Sequence, residues 1–304
     1  NTLIDIADLK PNFKCVTAAM GIGTGIKEFC DKYNNRYIDV GIAEPHAITY
    51  ASGLSTEGVI PVVPIYSTFM QRAYDHIMHD ILLQDLPVVL CMDRAGLVGP
   101  DGPTHHGIFD ISMLNSLPGM IITAPKDGNE LKNLLYTAVS AEKPFSIRYP
   151  KENCEIYDRK IKAEILPIGK WEELVLGKDV AVLAVGSMVK ICEKAIKTGN
   201  ITCSDRITLI NSRFIKPLDE DMLNKIGREY KYIITFEEGS KIGGFGDSIL
   251  RYYSSRGSSI KIFTRGMADA FAGQGTREEL LSDVKLDEKG VIDSINSIIN
   301  TNER

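Results

Sequence analysis

Short runs of β-branched and aromatic apolar residues alternate with amphipathic segments along almost the whole chain. This alternation is typical of strands joined by crossover helices in a largely parallel sheet, so the predicted fold class is α/β. The first series of strands is predicted at 14–17, 37–40, 60–65, 88–93, 120–124 and 145–149. A second series is predicted at 180–185, 207–211, 232–236 and 260–263.

A break in this pattern divides the chain into two units. Residues from about 150 to 178 carry many charges and show no sustained period, which indicates a linker. We predict a first domain over 1–155 with a truncated first helix, a linker over 156–178, and a smaller second domain over 179–304. The length of 304 residues suits two domains of roughly 150 residues each.

Composition narrows the classes of function. The 35 Lys and Arg residues against 40 Asp and Glu give a net charge of −5, so neither nucleic acid nor an anionic membrane is an expected partner. The longest apolar runs fall far short of the ~20 residues that cross a bilayer. Six cysteines without a CxxC pair argue against a zinc site or a disulfide scaffold. We expect a cytoplasmic protein, with a plastid as the alternative because the chain begins at Asn1 rather than Met.

Polar residues just after the predicted strands are the first candidates for a site, because ligands of open parallel sheets bind beyond the carboxyl ends of the strands. Glu44 follows the second predicted strand and stands at a predicted helix start, with Pro45 suited to the first turn. A carboxylate there also stabilises the helix dipole. Position alone therefore leaves Glu44 open between a structural and a functional role.

The segment from Tyr66 to Asp80 predicts a helix with two faces. Thr68 and Gln71 fit a capping box that would start it. The predicted apolar stripe comprises Met70, Tyr74, Ile77 and Ile81. The opposite face carries Arg72, Asp75, His76 and His79. A solvated polar face is favoured over a metal site, because no third ligand stands at a recognisable spacing.

The densest polar segment is DRAGLVGPDGPTHHG, residues 93–107, which follows a fully apolar predicted strand. Arg94 offers a planar fork for phosphate or carboxylate, and His105 suits proton transfer near neutral pH. The alternative is that Asp101 and the histidines only hold the loop together. Lys151, beyond the next strand end, adds a cation that would clamp a phosphate together with Arg94. The GIGTG segment at 21–25 does not meet the GxGxxG spacing and is predicted to be a tight turn.

Four segments together resemble the middle domain of the 1-deoxy-D-xylulose-5-phosphate synthase family, whose members are thiamine-diphosphate enzymes of the transketolase superfamily. They are DVGIAEPHA, PIYSTFMQRAYDHIMHD, DRAGLVGPDGPTHHGIFD and SIRYPK. The resemblance continues through INSRFIKPLDEDML, FEEGSKIGGFGDSIL and GTREELL into that family's C-terminal domain. It implies a pyrimidine-binding parallel-sheet domain followed by a smaller transketolase C-terminal α/β domain.

The superfamily's GDG and Asn motif, which holds Mg²⁺ and the diphosphate, does not occur in the sequence. The resemblance therefore implies a truncated polypeptide that lacks its N-terminal domain, and a homodimer. Thiamine diphosphate and Mg²⁺ are expected in the full-length enzyme, with neither bound to this chain alone. No residue of this chain is expected to hold the metal, and the chain alone is expected to be inactive.

The resemblance also implies a reaction. Pyruvate and D-glyceraldehyde 3-phosphate would condense with release of CO₂ to give 1-deoxy-D-xylulose 5-phosphate, a precursor of isoprenoids, thiamine and pyridoxal. Glu44 would bind the aminopyrimidine ring of the cofactor and favour its imino tautomer, and Phe69 would stack on that ring. The other matches are Arg94 and Lys151 on the substrate phosphate, Tyr66 and Arg72 beside them, and Asp101 and His105 near the reacting carbons.

Two departures from the family pattern stand out: Pro45 replaces the usual Gln, and Lys151 replaces the usual Arg. Other readings remain open at this stage. One is the C-terminal subunit of a split transketolase, and another is the β subunit of a 2-oxo acid dehydrogenase. A third alternative, of a different class, is a non-catalytic assembly module. A nicotinamide dehydrogenase would rest on Gly21 to Gly25 alone.

Overall fold

The structure, a computed structural model, describes residues 1–153, 156–198, 201 and 204–300. The strands are β1 Phe13–Thr17, β2 Tyr37–Asp39, β3 Ile60–Tyr66, β4 Val89–Asp93, β5 Ile121–Thr123, β6 Phe145–Arg148, β7 Glu172–Val175, β8 Val180–Ala184, β9 Ile207–Asn211, β10 Phe214–Lys216, β11 Tyr232–Ser240 and β12 Lys261–Met267. The helices are α1 Thr2–Leu9, α2 Lys27–Lys32, α3 Glu44–Thr56, α4 Ser67–Met70, α5 Tyr74–His76, α6 Asp110–Asn115, α7 Gly128–Ser140, α8 Met188–Lys197, α9 Glu220–Glu229, α10 Phe245–Ser254, α11 Arg277–Asp283 and α12 Glu288–Asn300. Short 3₁₀ turns cover Asn34–Arg36, Gln71–Ala73, Gly99–Asp101 and Ser204–Arg206, and Ile77–Leu82 is a π-helical turn.

Two sheets confirm the α/β class. The first has the order β10-β5-β6-β4-β3-β1-β2 and the second the order β12-β11-β8-β9-β7. All pairings are parallel except those of the edge strands β10 and β7. Each strand predicted from the sequence is present, with its ends shifted by at most four residues.

Two of the described strands were not predicted from the sequence, and one of them, β10, ties the two domains together. β7 lies within the stretch predicted as linker and pairs with β9 of the second sheet. β10 follows β9 in the chain but extends the first sheet, where Phe214 pairs with Thr123 of β5. The predicted boundary between the first domain and the linker falls between residues 155 and 156, and residue 155 lies outside the described residues.

Apolar side chains of the central strands form the cores. These strands are buried on both faces, as the burial of all five residues in β4 and β8 shows, which explains their continuous apolar runs. One large cluster runs from Phe13 and Phe145 of the first sheet to Phe214 and Phe245 of the second domain. A second cluster lies within the second domain, and it includes Leu97 from the first.

The helix predicted after β3 is present but begins differently. β3 runs directly into α4 at Ser67, so Thr68 lies inside the helix and the predicted capping box does not form. Instead, the Gln71 side-chain amide donates to Thr68 Oγ1 at 3.1 Å. The predicted stripe is confirmed in part: Met70, Ile77 and Ile81 are fully buried, while Tyr74 is only partly buried.

The predicted polar face carries an exposed pair in which His79 Nδ1 lies 2.9 Å from Asp75 Oδ1. The described residues contain no group of three or more His, Cys, Asp or Glu side chains that could hold a metal ion. Cys15, Cys30, Cys91 and Cys192 are free thiols, and Cys154 and Cys203 lie outside the described residues. None of the described helices has both the length and the apolar character that crossing a bilayer requires.

Candidate active site

The sequence-predicted site residues follow strands that are neighbours in the first sheet. β6, β4 and β3 lie side by side, and β1 separates β3 from β2. Because these strands are parallel, their carboxyl ends share one edge of the sheet. Lys151 follows β6, Arg94 follows β4, and Glu44 follows β2. The topology therefore brings residues from distant parts of the chain to a single edge.

Glu44 is the first residue of α3 and is only 1% exposed, although it carries a carboxylate. Pro45 occupies the first turn, where its missing N–H costs no hydrogen bond. The hydrogen bond that the carboxylate receives comes from Arg72 Nη1 at 3.3 Å, and the Arg72 side chain is itself 60% exposed. Buried carboxylates are usually satisfied by several donors. Glu44 therefore has capacity for a further hydrogen bond.

Three aromatic rings, those of Tyr66, Phe69 and His105, form a wall beside the loop after β4. Phe69 stacks on Tyr66 with 5.7 Å between ring centroids and 28° between planes. The edge of His105 meets the Phe69 ring at 5.2 Å. Thr104 Oγ1 lies 2.9 Å from His105 Nδ1, and Nε2 has no hydrogen-bond partner among the described residues. Both the Phe69 face and a histidine nitrogen are thus available to a ligand.

Arg94, Asp101 and Lys151 form a compact ionic group. Asp101 Oδ2 accepts from Arg94 Nη1 and, at 2.7 Å, from Lys151 Nζ. The hydrogen bond from Lys151 holds the pKa of Asp101 below its usual range, so this carboxylate is ionised at neutral pH and is not a proton donor. The Arg94 guanidinium also packs over the Tyr66 ring at 3.9 Å. Two cations with one internal anion form a site suited to a doubly charged phosphate.

The backbone at the start of the loop is held in an unusual conformation. Arg94 has a φ of 59°, the left-handed region that costs a residue with a Cβ roughly 1–2 kcal/mol. Asp93 Oδ1 accepts the Arg94 N–H at 2.7 Å and so stabilises that conformation. Asp93 is 8% exposed, and burial raises the pKa of its carboxyl to about 6.

Six of the eight side chains predicted from the sequence lie in one connected group. Phe69 contacts Tyr66 and His105, Tyr66 contacts Arg94, and Asp101 joins Arg94 to Lys151. Glu44 and Arg72 form an ion pair of their own, and Arg72 follows Phe69 by three residues in the chain. Glu44 is buried and does not lie on the outer surface.

Sequence reasoning missed residues that shape the group without carrying its chemistry. A Cβ on Gly23 would lie 1.8 Å from the Tyr66 hydroxyl oxygen, so only glycine allows that ring its position. The 21–25 segment is the predicted tight turn, in which Ile26 N–H donates to Gly21 O at 3.1 Å. Glu238 of the second domain accepts a hydrogen bond from the loop, and Arg277 pairs with Glu238. The paired carboxylates of FEEGS were the one signal for Glu238.

The residues present fit the aminopyrimidine end of thiamine diphosphate. Glu44 is a buried carboxylate with spare acceptor capacity, which suits a protonated ring nitrogen in a site with little water. The partly exposed face of Phe69 suits stacking on a flat heterocycle. The described residues contain no cluster of metal ligands for the cation that would accompany a diphosphate.

Comparison with known proteins supports this fit. Residues 1–155 match the model of the transketolase pyrimidine-binding domain, and residues 169–291 match that of the transketolase C-terminal domain. A 1-deoxy-D-xylulose-5-phosphate synthase of Syntrophus aciditrophicus is 43% identical over 99% of this chain and 46% of its own length. The 1-deoxy-D-xylulose-5-phosphate synthase 1 of Geobacter sulfurreducens is 45% identical over 96% of this chain and 46% of its own length. The chain thus spans about half the length of the curated relatives it matches.

Solved structures show the same architecture. A chain described as a split-gene transketolase, inactive β4 tetramer, superposes with a TM-score of 0.85 at 25% identity, covering 98% of this chain and 95% of that one. A transketolase from Pichia stipitis superposes with a TM-score of 0.76 at 18% identity over 98% of this chain and 44% of its own, which supports the fold alone. With both domain models matched in order along the chain, this protein belongs to the transketolase family, as a pyrimidine-binding domain followed by a C-terminal domain.

Proposed function

We propose that this chain supplies the pyrimidine-binding and acceptor-substrate half of a 1-deoxy-D-xylulose-5-phosphate synthase. The whole enzyme would condense pyruvate with D-glyceraldehyde 3-phosphate and release CO₂. The observation that carries the proposal is the ionic group of Arg94, Asp101 and Lys151 next to the aromatic wall of Tyr66, Phe69 and His105. A phosphorylated aldehyde needs a cation pair of this kind at a fixed distance from the reacting carbon. The identity to named synthases supports the same substrates.

Each side chain has a defined task in this proposal. Glu44 would hydrogen-bond the aminopyrimidine ring and hold a shared proton there, and Phe69 would fix the plane of the ring. The chemistry that thiamine diphosphate supplies when bound is a nucleophilic carbon for addition to a carbonyl. His105 offers Nε2 as a hydrogen-bond donor or acceptor beside Phe69.

Arg94 and Lys151 bind the phosphate of the aldehyde, and Asp101 is the internal anion with which that phosphate competes. Asp101 keeps the two cations close together before substrate arrives, because it accepts hydrogen bonds from both. The Tyr66 ring holds the Arg94 guanidinium plane from one side. Arg72, near the opposite end of the wall, neutralises Glu44 in the absence of a ligand.

The remaining half of the cofactor site is proposed to come from polypeptide outside these residues. This chain spans about half of its curated relatives, and its described residues contain no cluster of metal ligands. Mg²⁺ and the diphosphate would therefore bind an N-terminal domain, in a homodimer. The assembled enzyme is defined below as this chain together with that domain.

The assembled enzyme with Arg94→Ala tests the substrate assignment. We expect the KM for glyceraldehyde 3-phosphate to rise about 30-fold, since a charged hydrogen-bonded contact is worth about 2 kcal/mol, with the KM for pyruvate little changed. Steady-state kinetics with each substrate varied in turn measures both constants. Arg228→Ala, at an exposed arginine on α9, is the matched control and should leave both unchanged. Equal losses for the two substrates would contradict the phosphate role of Arg94.

The cofactor assignment has a separate test on this chain alone. Titration calorimetry with thiamine diphosphate and Mg²⁺ should show no appreciable heat of binding, because the pyrimidine contacts are only part of the interaction. Pyruvate should not be decarboxylated by the same sample. Binding in the micromolar range would show that the chain holds the cofactor without a second domain, and would refute this part of the proposal.

A subunit of a split transketolase is the second candidate function. It is favoured by the structural match to a split-gene transketolase chain of nearly the same extent. The two candidates differ in donor substrate, since a transketolase transfers a two-carbon unit from a ketose phosphate. An assembled enzyme that uses a ketose phosphate and ignores pyruvate would support the transketolase.

A further inference from the structure

The loop that carries Arg94, Asp101 and His105 rests on the second domain. Leu97 is fully buried, and its side chain belongs to the core of the second domain. The Leu97 N–H donates to Glu238 Oε1 at 2.7 Å. The loop of the first domain is thus fixed by both side-chain packing and a buried hydrogen bond to the second domain.

Two further contacts hold the same loop. His106 Nδ1 accepts the Val98 N–H at 3.1 Å, which leaves Nε2 protonated to donate to Gly273 O at 2.8 Å. The Gln274 side-chain amide donates to Pro100 O at 2.9 Å. Gly273 and Gln274, in the segment before α11, therefore both form hydrogen bonds with the loop.

Glu238 and Arg277 connect this loop to the segment after β6 that carries Lys151. Glu238 is 1% exposed, and its Oε2 accepts from Ser187 Oγ at 2.7 Å and from Arg277 Nη2. Arg277 Nη1 also donates to Glu152, the residue that follows Lys151. One buried ion pair of the second domain thus contacts both segments that supply a cation to the site, at Leu97 and at Glu152.

Steric fit between Glu238 and the loop is close. Gly96 has a φ of 78°, and an added Cβ there would lie 2.6 Å from the Glu238 carboxyl carbon. The carboxylate therefore packs directly against the loop backbone, two residues from Arg94. Buried ion pairs contribute little net stability compared with apolar residues of similar size. The geometry instead indicates that the pair fixes the positions of the two segments it contacts, at Leu97 and at Glu152.

We infer that Glu238 and Arg277 are positioning residues of the second domain that hold Arg94 and Lys151 at the separation a substrate phosphate requires. The inference rests on the proposed function and extends it to residues that do not touch substrate. The two cation-bearing segments remain joined by Asp101 and by the hydrogen bond from the Ala95 N–H to Tyr149 O at 2.9 Å. Loss of the pair should therefore give the loop beyond Ala95 more freedom relative to the segment that carries Lys151, with Glu44 and Phe69 unaffected.

Hydrogen exchange measured by mass spectrometry on the 304-residue chain tests the mechanical part without any substrate. Glu238→Gln should accelerate exchange at least tenfold in peptides over 95–107, while peptides from α3 stay unchanged. Arg277→Met removes the same pair from the other side and serves if Glu238→Gln does not fold. The matched control is Glu237→Gln, which changes the neighbouring buried carboxylate that accepts from Phe245 and Gly246 within the second domain. Exchange at 95–107 that changes less than twofold in both variants would overturn the inference.

Kinetics of the assembled enzyme tests the functional part. Both variants should raise the KM for glyceraldehyde 3-phosphate about tenfold and leave the KM for pyruvate within twofold, and Arg277→Lys should restore part of the loss. Looser exchange with an unchanged aldehyde KM would overturn the positioning role and leave the proposed function intact. An unaltered enzyme that turned over no phosphorylated aldehyde would refute the proposed function, and the exchange measurement would still decide whether the pair holds the loop.

Discussion

The carboxyl edges of the two sheets are both formed by parallel strands, but they differ in how far their polar side chains are exposed. At the first edge, the side chains of Arg72 and Lys151 are 60% and 44% exposed. At the second edge, Glu237 and Asn211 are fully buried and Glu238 is 1% exposed. The first edge thus exposes two of its cations while it buries Glu44, whereas these three residues of the second edge are all covered.

The difference lies in whether the chain satisfies its own polar groups. Glu237 accepts the Phe245 and Gly246 N–H groups at the start of α10, each at 2.8 Å. Glu238 likewise accepts the Leu97 N–H at 2.7 Å and the Ser187 hydroxyl at 2.7 Å. Glu44, in contrast, receives its hydrogen bond from a largely exposed arginine. Polar residues after parallel strands therefore indicate a site only where the fold leaves them hydrogen-bonding capacity.

Glu44→Gln is the sharpest test of that comparison. In the assembled enzyme we expect kcat to fall about 10²- to 10⁴-fold, the range for removal of a group that holds a transferring proton. The unfolding free energy of the chain should change by less than about 1 kcal/mol, because the amide keeps the packing and the lost ion pair involves an exposed partner. Steady-state kinetics and urea unfolding measure the two effects.

Glu57→Gln, at the other end of α3 and exposed, is the control and should alter neither quantity. A Glu44→Gln protein that kept its activity and lost several kcal/mol of stability would place Glu44 with the internally satisfied carboxylates of the second edge.

Much of the first edge could be predicted from the sequence, because its signals are local. Apolar runs located the strands, and parallel pairing then placed Glu44, Arg94 and Lys151 at one edge of one sheet. The GIGTG turn was likewise read from its spacing. Residue types suited to phosphate and to proton transfer completed the hypothesis.

The second edge could not be predicted, because its partners come from distant segments. Glu238 meets Leu97 across 141 positions of the chain, and His106 meets Gly273 across 167. The short strands β7 and β10 owe their conformation to the edges they join rather than to their own patterns. The capping box at Thr68 failed because β3 continues straight into α4, so the helix already begins at Ser67.

Asp93 also stands at the first edge and is buried, although at 8% exposed it is less buried than Glu237 and Glu238 of the second edge. Burial raises the pKa of its carboxyl to about 6 from the usual 3.8, so the folded protein binds the proton more tightly than the unfolded chain. The stability from this group is fully present below about pH 4 and is lost as the pH rises through 6.

Asp93→Asn should therefore stabilise the protein at pH 7 by up to about 3 kcal/mol, the free-energy equivalent of that pKa difference. The asparagine oxygen still accepts the Arg94 N–H. The advantage should shrink as the pH falls and vanish near pH 4, which urea unfolding of both proteins across that range would measure. A difference independent of pH would mean that Arg94 and Lys151 hold Asp93 ionised throughout.

Lys151→Arg should have the smallest effect, and it tests whether the exposed Lys151 at the first edge binds the substrate phosphate. Lys151 contacts Asp101 as a point charge at 2.7 Å, whereas arginine would offer a planar fork that matches a phosphate in two places. We expect the KM for glyceraldehyde 3-phosphate to fall by up to about fivefold, roughly 1 kcal/mol, with the KM for pyruvate unchanged. Lys143→Arg, at an exposed lysine paired with Asp85, is the matched control and should change neither constant. An aldehyde KM unchanged by Lys151→Arg would show that Lys151 serves Asp101 alone, and that the phosphate is bound without it.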